Sequence, residues 1–302
     1  MKKVQKISSL LLLIFAVSTT SNADNGSYTL PFTQVNGLFL IQASVNDLKS
    51  EEFILDTGSE EILLNTSHPR TSGEQHFATV NGAIDATESN PNTIKIGNFI
   101  QRHRTVFLTD LNALETFLNR PIAGIIGIGI FQNKNVLIDY ESQALIISDG
   151  LPEIDLNASV RYPLFRIQNI PVITVTYNDQ HFLFGLDSGC SAHVLGEDLF
   201  DSLNIRTKDP NNSVSLMSHN KDAISLVTKV ESDLFQKIVR QNDKFLVKDL
   251  SAINNELNIH LSGLISPTQL HVRYVFLNFS KSECILGLPF PKWSYSYASA
   301  LD

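Results

Sequence analysis

The 302-residue sequence holds only two cysteines, Cys190 and Cys284, too few for a disulfide-stapled scaffold. It is short of basic charge: 23 Lys and Arg stand against 31 Asp and Glu, a formal net charge of −8. That balance argues against nucleic acid as a partner. Beyond the first residues no apolar run reaches the length of a membrane helix, roughly 18 residues. The eight His are scattered, and none forms His-Glu-x-x-His, so zinc hydrolysis is disfavoured. A Gly-x-Ser-x-Gly elbow and a Gly-Lys-Ser/Thr phosphate loop are missing as well, which disfavours a serine esterase and a nucleotide-binding enzyme. With 43% apolar and 18% charged residues, disorder and fibrous classes are excluded too.

What is present begins with MKKVQKISSLLLLIFAVSTTSNADN. Lys2, Lys3 and Lys6, the apolar run Leu10–Val17 and the small residues ending at Ala23 make residues 1–23 a cleavable secretory signal, with Asp24 the first mature residue. Removing them takes away three Lys and no acid, so the remainder is more acidic still. The expected location is the periplasm or the exterior, in soluble form. Strand-like sequence already starts at Tyr28, which leaves no room for a conventional pro-segment.

Short alternating runs dominate the rest, among them Tyr28–Phe32, Leu38–Val45, Glu52–Leu55, Val172–Tyr177 and His181–Leu186. Two helical stretches are predicted, Leu111–Leu118 and Leu250–Leu257, each just ahead of a Gly-containing apolar run. The chain is in fact written twice. FILDTGSEEILLN in the first half answers FGLDSGCSAHVLG in the second, with Asn46-Asp47 and Asn178-Asp179 upstream. FLTDLNALETFLNRPIAGIIG then lines up without a gap on LVKDLSAINNELNIHLSGLIS, and the register continues through VLIDYESQALII and VFLNFSKSECIL, about forty positions in all. The polar, Gly- and Pro-containing segment Ser148–Val160 separates the copies, giving units of residues 24–150 and 151–302.

Each copy carries one Asp-Thr/Ser-Gly triplet, Asp56-Thr57-Gly58 and Asp187-Ser188-Gly189. One such triplet is only a turn, expected by chance in roughly one chain in seven of this length. Two at matching places, each behind an apolar strand, bring two carboxylates to the ends of buried strands, where unpaired charge is costly. Carboxylates that meet there share a proton, so one can take a proton from water while the other polarises a carbonyl. Gly58 and Gly189 suit a tight turn in which backbone amides approach the carboxylates, and Thr57 and Ser188 offer hydroxyls to the facing copy.

On FILDTGSEEILL, AGIIGIG and NVLIDYESQALII in one half, and FGLDSGCSAHVL and SGLIS in the other, the chain resembles aspartic peptidases of the pepsin and retropepsin type. The resemblance spans most of Tyr28–Gly287. It implies a mostly β, bilobal acid-protease fold: two similar β-barrel-like lobes related by a pseudo-twofold axis, with a cleft between them. It also implies an endopeptidase that needs no cofactor and no metal, acts as a monomer and takes a protein or peptide substrate. Asp56 and Asp187 become the catalytic pair. Thr57 and Ser188 become the hydroxyls joining the lobes, and Gly58 and Gly189 the active-site turns. Gly124 and Gly263 become the crossings behind each Asp, and Ser59 a hydrogen-bond donor to the outer oxygen of Asp56.

The second copy departs from that pattern in two places. Cys190 stands where a hydroxyl or Ala is usual, and Ser266-Pro267 replaces Gly127-Ile128. A thiol is a poor donor, so Asp187 is expected to be less well held. Cys190 is open to three readings: a core thiol, a partner of Cys284, or a reactive thiol. Gln75–Ala86, with Asn81-Gly82 as its turn, is the expected flap hairpin; Phe77 and His76 are read as a core ring and a solvated side chain rather than cleft groups. The aromatic tail LPFPKWSYSYASALD is expected to pack on a lobe. Other readings compete with the peptidase. A glycosidase also uses paired carboxylates, but not on such turns in duplicated β lobes. A peptide-binding or inhibitory protein of the periplasm, inactive through drift in the second lobe, is the stronger rival.

Overall fold

The computed structural model describes residues 26–46, 48–66, 74–79, 82–202, 213–215, 224–229 and 244–288. The signal sequence, the hairpin residue Asn81 and the aromatic tail beyond residue 288 lie outside them. The chain is mostly β. In order, the first half contributes β1 (Tyr28–Val35), β2 (Leu38–Val45), β3 (Glu51–Asp56), β4 (Ile62–Asn65), β5 (Glu74–Thr79), β6 (Gly82–Ile96), β7 (Phe99–Thr109), α1 (Asn112–Leu118), β8 (Gly124–Gly127), β9 (Asn135–Asp139) and β10 (Ala144–Ser148). The second contributes β11 (Ser159–Ile167), β12 (Ile170–Tyr177), β13 (Gln180–Leu186), β14 (His193–Gly196), α2 (Glu197–Ser202), β15 (Ser213–Ser215), β16 (Ile224–Lys229), β17 (Lys244–Lys248), α3 (Ser251–Leu257), β18 (Gly263–Ile265), β19 (Tyr274–Asn278) and β20 (Glu283–Gly287).

In the first lobe the pairings β2–β3, β3–β8, β8–β4, β4–β7, β7–β6 and β6–β2 close a barrel. The second lobe repeats the run as β12–β13, β13–β18, β18–β14, β14–β17 and β17–β16. Parallel pairing of β3 with β8 and of β13 with β18 places each Asp-Thr/Ser-Gly turn beside a glycine-bearing strand. Gly124 and Gly263 are needed there for close approach. A Cβ on Gly124 would lie 2.1 Å from the Leu63 carbonyl oxygen, and one on Gly263 2.4 Å from that of Val194.

Local chemistry is repeated as closely as topology. The β1–β2 turn, Asn36-Gly37, and its counterpart the β11–β12 turn, Gln168-Asn169, each hold two successive residues at positive φ, the geometry of a two-residue hairpin. The Asp110 carboxylate accepts from the Asn112 N–H at 2.8 Å ahead of α1, and Asp249 accepts from the Ser251 N–H at 2.8 Å ahead of α3. Both helices stop on a left-handed Asn, Asn119 and Asn258.

A third sheet is shared by the lobes, in the order β1–β10–β9–β19–β20–β11. At its centre β9 and β19 run antiparallel, with Val136 opposite Leu277 and Ile138 opposite Val275. These four side chains enter one large core that also takes Phe53 and Leu55 of β3 and Phe184 and Leu186 of β13. Burial of each such side chain contributes ~1.5–3 kcal/mol, so the sheet and the strands behind both Asp turns are stabilised together. The other face of the shared sheet packs Leu137, Phe276 and Ile285 into a smaller cluster. Residues 149–158, between β10 and β11, carry neither strand nor helix. Among the described residues no helix is long and apolar enough to cross a membrane.

Candidate active site

Both triplets leave their strands at the base of one cleft of about 380 Å³, lined by residues of both lobes including Asp56, Asp187, Gly58 and Gly189. Directly behind the carboxylates the lobes are cross-tied by four hydrogen bonds. The Thr57 hydroxyl donates to the Leu186 carbonyl at 2.7 Å and accepts the Ser188 N–H at 2.9 Å. The Ser188 hydroxyl donates to the Leu55 carbonyl at 2.7 Å and accepts the Thr57 N–H at 2.9 Å. Both side chains are 0% exposed, so every polar atom in the tie has its partner away from water.

The glycines bring the pair together. A Cβ on Gly58 would fall 2.5 Å from Asp187 Cγ, and one on Gly189 2.6 Å from Asp56 Cγ, so each turn lies against the opposite carboxylate. Asp56 takes the Gly58 N–H at 2.8 Å on Oδ1 and a further bond from the Gly189 N–H. Asp56 and Asp187 also share a side-chain hydrogen bond. Burial, and next the charge of Asp187 beside it, push the Asp56 pKa well above the usual carboxylate range, against the lowering effect of the Gly58 amide.

Asp187 is held at least as firmly, contrary to the expectation from its thiol neighbour. It accepts the Gly189 N–H at 2.8 Å and the Cys190 N–H at 3.2 Å on Oδ1, and the Cys190 thiol donates to Oδ2 at 2.9 Å. Ser59, expected to bond Asp56, instead accepts the Glu61 N–H at 3.1 Å and makes no bond to Asp56. A hydroxyl two residues ahead of a free amide closes a local turn more readily than it reaches back along the chain. Cys190 and Cys284 are both free; Cys284 is buried in the core from β20, and the bridge between them is absent.

Behind the turns the copies diverge in atoms but not in purpose. In the first lobe the Gly127 N–H donates to the Glu61 carbonyl and the Ile128 N–H to the Ser59 carbonyl, each at 2.8 Å. Pro267 has no N–H, and the Ser266 hydroxyl reaches the Cys190 carbonyl at 2.6 Å in its place. The Ser266 N–H donates to Nδ1 of His193 at 3.1 Å. His193, in the place of Ile62, is 1% exposed, its Nε2 has no partner among the described residues, and burial lowers its pKa to about 4.

β5 and β6 form the expected hairpin beside the cleft. Phe77 lines the cleft as well as packing edge-on against Phe107, with centroids 5.0 Å apart. His76 is exposed and pairs with Asp85 at 2.6 Å. The hairpin touches the other lobe: the Ala78 N–H donates to Glu256 Oε2 of α3 at 2.7 Å. Asn169 donates to Glu60 at 2.7 Å, a further tie between the halves. Nothing in the sequence pointed to either contact.

No protein-family model matches the sequence, and no curated protein matches it. Among solved structures the chain is similar to the crystal structure of the aspartic proteinase from Irpex lacteus, with a TM-score of 0.54 over 90% of this chain and 99% of that one. At 12% sequence identity this likeness establishes the pepsin-like bilobal β fold.

Proposed function

We propose that the protein is an aspartic endopeptidase in which Asp56 and Asp187 activate water between them. The observation that carries the reading is the pair itself: two carboxyl groups in hydrogen-bond contact on the cleft floor, each backed by a glycine turn and tied to the other lobe through Thr57 or Ser188. Charge repulsion and burial keep one proton on the pair, so one member is a base for water and the other an acid for the peptide carbonyl. Thr57, Gly58, Ser188 and Gly189 hold that geometry, and Ser59 contributes to the turn beside Asp56.

The substrate is an extended peptide segment, because strand walls offer main-chain hydrogen bonds along the cleft. Neither a metal nor an organic cofactor enters this chemistry. The working units are residues 24–150 and 151–302 of a monomer. The site of action is the periplasm or the exterior, on the strength of the N-terminal signal-like sequence.

The test is cleavage of a diverse peptide pool by protein starting at Asp24, from pH ~3 to 8, beside Asp56→Asn and Asp187→Asn, whose amides cannot share the proton. Cleavage by the wild type with both variants silent supports the pair. Cleavage should fall as pH rises through the elevated pKa of Asp56, since the acid is lost there. A wild type that binds peptides yet cuts none across this range would overturn the peptidase reading in favour of a binding or inhibitory protein.

A further inference from the structure

The cleft floor is not symmetric about its two carboxylates. Asp187 takes three donors, on both oxygens, from the Gly189 amide, the Cys190 amide and the Cys190 thiol. Apart from the bond the pair shares, the donors to Asp56 among the described residues are the amides of Gly58 and Gly189, because Ser59 is turned toward Glu61. The backbone that carries the thiol is itself anchored: the Cys190 carbonyl accepts the Ser266 hydroxyl at 2.6 Å, and that hydroxyl also bonds Thr268 Oγ1 at 2.7 Å. A donor bond favours the charged form of the carboxylate that accepts it. More donors on Asp187 than on Asp56 therefore break the tie between them.

We infer that Cys190 is a positioning residue, whose thiol holds the negative charge of the pair on Asp187 and so leaves the shared proton on Asp56. The assignment fits the state of both groups. Burial, and then the neighbouring Asp187 carboxylate, push the Cys190 thiol well above its usual pKa, which keeps the S–H in place as a donor and disfavours the thiolate. Burial likewise favours neutral Asp56. The other titratable groups lining the cleft are Glu60 and Glu61 after β3, Lys248 at the end of β17 and Glu256 of α3. None of them forms an ion pair or hydrogen bond with the two aspartates.

The kinetic consequence rests on the peptidase reading. Asp187 takes a proton from water as the water oxygen bonds the carbonyl carbon, and Asp56 gives its proton to the carbonyl oxygen. The proton order itself needs no turnover.

The experiment is a 13C NMR titration of protein labelled at the aspartate carboxyl carbons, with Asp56→Asn and Asp187→Asn spectra assigning the two signals. The expected result is that the pair's last proton leaves Asp56. Cys190→Ala should narrow the gap between the two signals by ~1 pH unit, the worth of one bond to a charged group, and Cys190→Ser should keep it. A last proton on Asp187, or a gap that Cys190→Ala leaves unchanged, overturns the inference. If Cys190→Ala does not fold, the wild type and Cys190→Ser still decide the order.

With a cleavable peptide, the acid limb of kcat/KM should move up by ~1 pH unit in Cys190→Ala, about a tenfold loss below the limb, and return in Cys190→Ser. A limb that stays put counts against the inference. Absence of turnover in the wild type counts against the peptidase alone, because the titration is read without it.

Discussion

The crossing strand behind Asp56 is joined to its turn by backbone groups, whereas behind Asp187 side chains take part in both bonds. Gly127 and Ile128 donate two amides to the Glu61 and Ser59 carbonyls. Ser266 donates a hydroxyl to the Cys190 carbonyl and an amide to the His193 ring. The requirement common to both is that buried polar groups of the turn be paired. Backbone pairing in the first lobe demands glycine, since a Cβ on Gly127 would lie 2.3 Å from the Glu61 oxygen. In the second lobe His193 replaces Ile62, and the carbonyl facing Gly127 gives way to a ring nitrogen that Ser266 can meet with its Cβ in place. What looks like decay of a motif is a change in which atoms satisfy it.

Exchanging the two solutions tests this comparison most severely. Gly127→Ser puts the second lobe's residue into the tighter crossing and should cost ~4 kcal/mol or more, or abolish folding, by urea denaturation. A loss under ~1 kcal/mol would mean that the first crossing is as roomy as the second. The tie between lobes should, by contrast, be equivalent from either side. Thr57→Val and Ser188→Ala each strip a buried hydroxyl from a carbonyl and an amide, at ~3 kcal/mol apiece, and agreement within ~0.5 kcal/mol is expected.

A smaller effect separates the lobes by pH. The folded pKa of His193, about 4, lies below the ordinary value of 6.5, so the unfolded chain binds the extra proton between those values. Stability should therefore fall with pH through that window, by ~2.5 kcal/mol from pH 7 to pH 4.5. His193→Ile, which installs the first lobe's residue, should remove that part of the dependence while lowering stability at pH 7. The smallest change is Ser266→Gly, ~1.5 kcal/mol, for the Cys190 carbonyl that Pro267 cannot serve. No measurable loss there would show that this hydroxyl is dispensable.

Much of this architecture was readable along the chain. Strand alternation marked β2, β3, β12 and β13, and α1 and α3 appear within one residue of the segments anticipated, because alternation and caps are local signals, while the six-residue α2 was not anticipated. The repeat indicated that Asp56 and Asp187 would be brought together, and they meet. The shared sheet was not legible, since the β9–β19 register joins residues more than a hundred positions apart that carry no mark of being partners. Three details of the site escaped for one reason. The Cys190 bond to Asp187, the Ser266 bond that replaces an amide, and the Ala78–Glu256 contact each depend on where an atom ends up rather than on which residue type aligns. A thiol directly after an Asp-Ser-Gly was visible, but its direction was not.

The shared sheet has a consequence for any attempt to study one half by itself. In the whole chain the outer edge of β9 is covered by β19, strand against strand from Val136 to Asp139. Severed between β10 and β11, the first half would present that edge bare, with Val136, Leu137 and Ile138 in a row and, along the paired stretch, only Asp139 at its end to deter pairing. Such a fragment would recruit a strand from whatever chain it met, and self-association would be its natural fate.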